Sequence, residues 1–323
     1  MRFSSGVDRV FVGWFVGVLT AVLVALGALA LINRTVYEPS GQVRQYFQAL
    51  RAGDGERALG ILGAEVPDSN AAMLSGEAVS NSLKNLKNLT VKNTEIQGDH
   101  ATVTVAYTLG ETPQTTDFHL TKVGSHWGVF DQWHIDSTEL PTVHVSSSSV
   151  DAATLNNEKV AVDNGNRNFA VFYPGEFTVA YESSLFSSQE QTVAVTSPTS
   201  TPEDLMVKLE PSESAINSVR YQVQSQLDKC ATQNTLYPAG CPFEYPFDGR
   251  VQGDVSWKIT DYPEPSPTVD QTGRWVLDDS RGTAEVSFTE LDLYTGKTSQ
   301  VKHEVPFTYS ANLQVTDTEV TVE

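Results

Sequence analysis

The stretch from Val10 to Ile32 holds 23 consecutive residues without a charge. As a helix rising ~1.5 Å per residue it would reach roughly 35 Å, enough for a bilayer core of ~30 Å. A helix packed in a soluble core is apolar along one stripe, whereas this run is apolar on every face. The expectation is a transmembrane helix over residues 10–32, contacting the lipid bilayer and presenting the rest of the chain on one side. Arg2 and Arg9 precede the run, Arg34 follows it, and Asp8 opposes the bias. The balance of positive charge puts residues 1–9 in the cytoplasm and the C-terminal domains outside the plasma membrane. Ala28-Leu29-Ala30 has the small-x-small form of a cleavage site, so a removed signal peptide is the alternative. The run continues to Ile32 with no polar region before that site, which favours an uncleaved signal-anchor. Gly13, Gly17, Ala21 and Ala25 recur every fourth residue, a stripe that would let two helices approach closely and form a homodimer. Ordinary small-residue content explains the same stripe without self-association.

The formal charge of the chain is −19. Three arginines against one aspartate give residues 1–34 a charge of +2, which leaves −21 on the remainder. So acidic a surface offers no basic stripe to release counterions from phosphates, and nucleic acid is excluded as a partner. Solubility is the plain reading of the charge, and capture of cationic groups the sharper one. The two cysteines, Cys230 and Cys241, flank a loop containing Pro238 and Gly240. Outside the cytoplasm a disulfide is the default, and closing a loop of this size stabilises by about 3 kcal/mol in the chain-entropy model. A metal pair would need a nearby histidine, and none of the six lies between residues 145 and 302. No cofactor or metal is expected.

Residues 36–140 open with a helical pattern, Val43, Phe47 and Leu50 on one face and Arg44, Gln48 and Arg51 on the other. Gly53-Asp54-Gly55 breaks it. Short helical patterns follow at Ala58, Leu59 and Leu62 and at Val79, Leu83 and Leu86. The period then becomes two, through Ala101 to Leu109 and through Thr116, Phe118 and Leu120, with Trp127, Val129, Trp133 and Ile135 closing the sheet. Helices followed by a meander with one apolar face predict an α+β domain, helices on one side of an antiparallel sheet. The opening Val43-x-x-Tyr46-Phe47-x-Ala49-Leu50-x-Ala52-Gly53-Asp54 and the ending Phe118-x-Leu120-x-Lys122-x-Gly124-x-x-Trp127-x-Val129 resemble the NTF2-like (cystatin-like) superfamily, including its membrane-anchored members. That resemblance implies a conical sheet whose interior is either filled or used as a pocket. Tyr46, Tyr107, Trp127, Asp131 and Trp133 are its pocket candidates. His134 alternates with Asp131, so the two point to opposite faces and do not converge as an acid–base pair. His100 and His119 fall on the Thr-rich solvent face.

Residues 141–210 hold short alternating pieces around Val160, Phe169, Phe177 and Val193, punctuated by Asn164-Gly165 and Pro174-Gly175. With no helical pattern among them they predict a small β-sandwich. Asn156-Asn157-Glu158-Lys159-Val160 with Tyr173-Pro174-Gly175-Glu176-Phe177-Thr178-Val179 is similar to repeats of the teicoplanin-resistance-associated membrane proteins and, more distantly, of PEGA-type surface modules. Residues 211–323 begin with a capped helix start at Pro211-Ser212-Glu213 and an apolar stripe of Ile216, Val219, Val223, Leu227 and Cys230. Strands around Trp257, Trp275, Val286, Phe307 and Val315 follow, a second helix-plus-antiparallel-sheet domain and a second NTF2-like unit by pattern. Ser299-x-x-Lys302 has the spacing of penicillin-recognising enzymes but falls in a predicted strand, and neither Ser-Asp-Asn nor Lys-Thr-Gly accompanies it. Thr295-Gly296-Lys297-Thr298 lacks the first glycine of a phosphate loop and reads as a hairpin turn. The reading that results is a bacterial cell-envelope protein, not an enzyme, whose outer domains bind or scaffold an envelope protein or polymer. An enzyme using an NTF2-like pocket, and an assembly subunit dimerising through the anchor, are the alternatives.

Overall fold

The computed structural model describes residues 5–35, 38–126, 130–147, 149–270, 273–316 and 318–323. Helix α1, Ser5–Thr35, covers the apolar run, and its side chains are described over residues 13–28, where every one is exposed. Among the described residues no helix is long and apolar enough to cross a membrane. The expected transmembrane anchor over 10–32 is corrected on this finding. So are the signal-anchor, the cytoplasmic placement of 1–9 and the plasma-membrane location drawn from it. An added Cβ at Gly13 or Gly17 would meet nothing within 4 Å.

The rest is α+β, with sheets that are mostly antiparallel. It forms two compact units. The first comprises Met1–Ser146, Thr154–Val179 and Thr192–Leu205, and the second Ser147–Ala153, Ala180–Gln191 and Met206–Glu323.

In the first unit α2 (Ser40–Arg51), α3 (Gly55–Leu62), a 3-10 turn (Ala72–Leu74) and α4 (Gly76–Ser82) precede a sheet. That sheet is the meander β1 (Leu86–Gln97), β2 (His100–Leu109), β3 (Thr112–His126) and β4 (Phe130–Ile135), in the order β1-β2-β3-β4. α2 buries Val43, Tyr46, Phe47, Ala49 and Leu50, the i, i+3, i+4, i+7 stripe of an amphipathic helix. Asp54 starts α3 by accepting the Arg57 N–H at 3.1 Å, an N-cap that satisfies one orphan donor. β2 alternates strictly, burying Ala101, Val103, Val105, Tyr107 and Leu109. Gly55 lies so close to the 3-10 turn that a Cβ there would sit 1.6 Å from the Leu74 carbonyl oxygen.

Short strands follow: β5 (Thr142–Ser147), β6 (Ala152–Leu155), β7 (Glu158–Ala161), β8 (Asn166–Ala170), β9 (Gly175–Ala180), β10 (Phe186–Ser188), β11 (Gln191–Val195), β12 (Leu205–Val207) and β13 (Leu209–Pro211). They make sheets ordered β11-β9-β6-β7, β12-β5-β8 and β10-β13. Asn156, held at positive φ, stitches β6 to β9: its side chain accepts from the Thr178 N–H and donates to the Glu176 carbonyl.

In the second unit Ser212 caps α5 (Glu213–Ala231) by accepting the Ala215 N–H at 3.1 Å. The helix buries Ala215, Val219, Val223, Leu227 and Cys230. Its sheet runs β14-β17-β18 from β14 (Arg250–Asp261), β17 (Ser280–Leu291) and β18 (Thr298–Tyr309). The pairs β15 (Pro267–Val269) with β16 (Trp275–Leu277) and β19 (Leu313–Val315) with β20 (Val320–Val322) accompany it. Val255, Trp257, Ala284, Val286, Phe288 and Phe307 share the core with α5. Cys230 and Cys241 form a disulfide, Cα to Cα 5.8 Å, which closes the loop after α5. The Trp257 indole N–H donates to the Thr235 carbonyl at 2.8 Å and fastens that loop to the sheet.

Candidate functional site

The pocket candidates of the first unit divide by where the sheet puts them. Tyr46 projects from α2 into the space between helix and sheet and has no exposed surface. Its ring meets Phe47, Phe118 and Phe172 edge-on, with centroids 5.5, 5.8 and 6.3 Å away. Phe118 in turn stacks on Tyr173 at 5.9 Å. Edge-to-face and offset contacts of this kind are the favoured packing of aromatic rings in cores. The Tyr46 hydroxyl donates to the Tyr173 carbonyl at 2.7 Å. Burial pushes the Tyr46 phenol well above its ordinary range, and the Tyr173 phenol adds to that push. It is therefore a neutral hydrogen-bond donor fixed inside a core.

Tyr107 is also buried, and its hydroxyl lies 2.8 Å from Thr116 Oγ1, which itself donates to the Thr196 carbonyl at 2.6 Å. With the Thr116 proton engaged there, Tyr107 is the donor in its pair. Burial raises its phenol too. Trp133 is buried on the inner face of β4. Asp131, two residues earlier on the same strand face, sits at the half-exposed rim and pairs with Lys122 Nζ at 2.6 Å. The Asp131 hydrogen bond raises the Lys122 ammonium above its ordinary value. His134 is exposed on the opposite face, so Asp131 and His134 do not meet. Trp127 lies outside the described residues. The structure thus buries Tyr46, Tyr107 and Trp133 and leaves Asp131 half-exposed in an ion pair.

The remaining sequence candidates also separate. His100 and His119 stand on the outer face, 3.3 Å from Thr121 and Thr102 respectively. Ser299 and Lys302 alternate on β18; Lys302 pairs with Glu285 at 2.9 Å, while the Ser299 hydroxyl points to Glu290 at 3.4 Å. No nucleophile–base contact links them. Among the described residues no group of three or more His, Cys, Asp or Glu side chains is placed to hold a metal ion.

A different feature stands out in the second unit: the hairpin turn expected at Thr295-Gly296-Lys297-Thr298 is present, and it carries an exposed tip that sequence reading passed over. The β17–β18 hairpin ends in a turn over residues 292–297 whose conformation is fixed by Asp292. The Asp292 carboxylate accepts the Tyr294 and Thr295 amides at 2.8 and 3.0 Å. Its own N–H donates to the Lys297 carbonyl at 2.9 Å, and Gly296, at φ +71°, donates back to the Asp292 carbonyl at 2.8 Å. The two amides hold the Asp292 carboxyl below the usual carboxylate range, the Thr295 amide contributing most. On this ordered turn Leu293 is 78% and Tyr294 98% exposed. The signal in the sequence was the Asp292-Leu293-Tyr294-Thr295-Gly296 string, two apolar side chains inside an Asx-type turn.

No protein-family model, no curated protein and no solved structure matches the chain.

Proposed function

We propose that this chain is a non-catalytic binding or scaffolding protein, and that its first unit is an NTF2-like module with a filled interior. The observation that carries the reading is the packing of Tyr46, Phe47, Phe118, Phe172 and Tyr173. They occupy the space between α2 and the sheet that a ligand would need. An NTF2-like identity is supported by the order of elements, three short helices followed by a four-stranded antiparallel meander. A catalytic carboxylate works best when desolvated and aimed at a pocket, whereas Asp131 sits at the rim on Lys122. Binding is supported by the hairpin tip. A fully exposed tyrosine on a turn braced by four hydrogen bonds loses little entropy on docking, which is the profile of an interface anchor.

The test is turnover of ester, glycoside and peptide substrates by the full chain and by Asp131→Asn. The expected result is no turnover above the uncatalysed rate in either protein. Turnover that disappears in Asp131→Asn would overturn the reading.

A further inference from the structure

The two three- and four-stranded sheets built from long strands have four edges: β1 and β4 in the first unit, β14 and β18 in the second. An open edge is a template for another strand, and proteins blunt it with bulges or brevity. β1 carries register shifts at Lys87/Thr90 and at Val91/Asn93. β14 carries them at Gln252/Ser256 and at Ile259/Asp261. β4 is short, Phe130–Ile135. β18 is neither bulged nor short, though it carries a lysine and a proline, Lys302 and Pro306, which also blunt edges. It pairs with β17 from Ser280↔Tyr309 to Leu291↔Thr298 without a single shift. Among the described residues its other side pairs with no strand.

The direction of its amides follows from the turn. Asp292 N–H donates to the Lys297 carbonyl, so Lys297 faces β17. Alternation along an antiparallel strand then turns Ser299, Val301, His303 and Val305 toward β17 and Gln300, Lys302, Glu304 and Pro306 outward. Pro306 fits this assignment, since its missing N–H falls on the open side.

The side chains at that edge are self-complementary. Glu304 stands directly opposite Glu285, a like-charge pair of the unfavourable kind. The Lys302 ammonium is drawn to Glu285 at 2.9 Å. Glu304 is left without an ion pair among the described residues. Run antiparallel against a copy of itself with His303 on the two-fold axis, β18 would set Lys302 opposite Glu304 of the second copy, and Glu304 opposite its Lys302. In that register Lys302 and Glu304 exchange both backbone bonds with their counterparts, and the Gln300 amide reaches the Pro306 carbonyl of the copy. The half-buried Val301 and Val305 would gain cover on the inner face.

We propose that β18 is a self-association edge, joining two copies of this chain antiparallel with Lys302 facing Glu304. The edge belongs to the same hairpin as the Leu293–Tyr294 tip, but the pairing of Lys302 with Glu304 does not depend on what that tip binds.

The experiment is sedimentation equilibrium of the full chain, wild type against Glu304→Lys, Lys302→Glu and the double exchange. The wild type is expected to dimerise, each single variant to raise the dimer dissociation constant at least tenfold, and the double variant to recover within threefold of wild type. Recovery cannot come from association through another surface, which does not depend on which of the two positions holds the lysine. As a second readout, His303→Cys should cross-link two copies under mild oxidation faster than Val301→Cys, since only residue 303 lies on the axis. A monomer at every concentration, association indifferent to both single exchanges, or a double variant no better than the singles would each overturn the proposal. So would faster cross-linking at 301, which would mean a different register.

Discussion

The hydroxyl of Tyr46 has one partner, the carbonyl of Tyr173, and no path to water. Removing it leaves a buried acceptor unpaired, which costs about 1–3 kcal/mol. Tyr46→Phe should therefore lower the unfolding free energy by that amount in urea titration with the m-value unchanged. A residue that lined an open pocket would show almost no loss, because water would replace the bond. Tyr262 makes a second residue-scale prediction. Its hydroxyl bonds to the Asp228 carboxylate, which, with some burial, pushes the phenol up to about 12. The folded value lies above the ordinary tyrosine value of about 10. The stabilisation is therefore complete below pH about 10 and is lost as pH rises from there toward 12. Ultraviolet titration should find a phenol ionising near 12 that Asp228→Asn returns toward its ordinary range. Neither partner could be read in the sequence: Tyr173 is 127 positions from Tyr46 and Asp228 is 34 from Tyr262. What was legible at this scale was parity, which put Trp133 inside and His134 outside.

Helices and strands were legible where their periodicity is uninterrupted. β2 alternates through ten residues and α5 repeats its stripe through about four turns, so both stand out as patterns. β1 does not. Two register shifts within Leu86–Gln97 each move the following side chains to the other face, and the alternation that would announce a strand is scrambled. Its first residue, Leu86, was read as the end of a helix that stops at Ser82. The disulfide expected at the end of α5 is present, though its expectation rested on an oxidising location as well as on the loop between the two cysteines. α3 offers a test of packing between elements. Gly60 meets nothing within 4 Å, whereas a Cβ on Gly55 would collide with the Leu74 backbone. Gly60→Ala should stabilise by up to about 1 kcal/mol through helix propensity. Gly55→Ala should destabilise by about 3 kcal/mol, since backbone rather than a flexible side chain must move. Thermal melts of the two variants should shift in opposite directions. Equal shifts would mean that α3 and the 3-10 turn are not packed as described.

For the whole molecule, the α+β class followed from the order of periods along the chain. Location did not follow. The apolar run suggested a membrane span, and among the described residues no helix has the apolar length for one. The binding role proposed above places the work of the protein at its surface. Its candidate pocket is filled with aromatic rings, and the most exposed aromatic side chain among the described residues is held on an ordered turn. An anchor residue of that kind contributes at least about 2 kcal/mol to an interface. The most direct measurement is site-specific photocross-linking in the producing cells, with benzoylphenylalanine at position 294 and, as a control, at Lys258 on the outer face of β14. A single adduct of defined mass from position 294, absent from position 258 and reduced by Leu293→Ser, is the predicted result. No adduct at 294, or the same adducts from both positions, would contradict a binding role built on this tip.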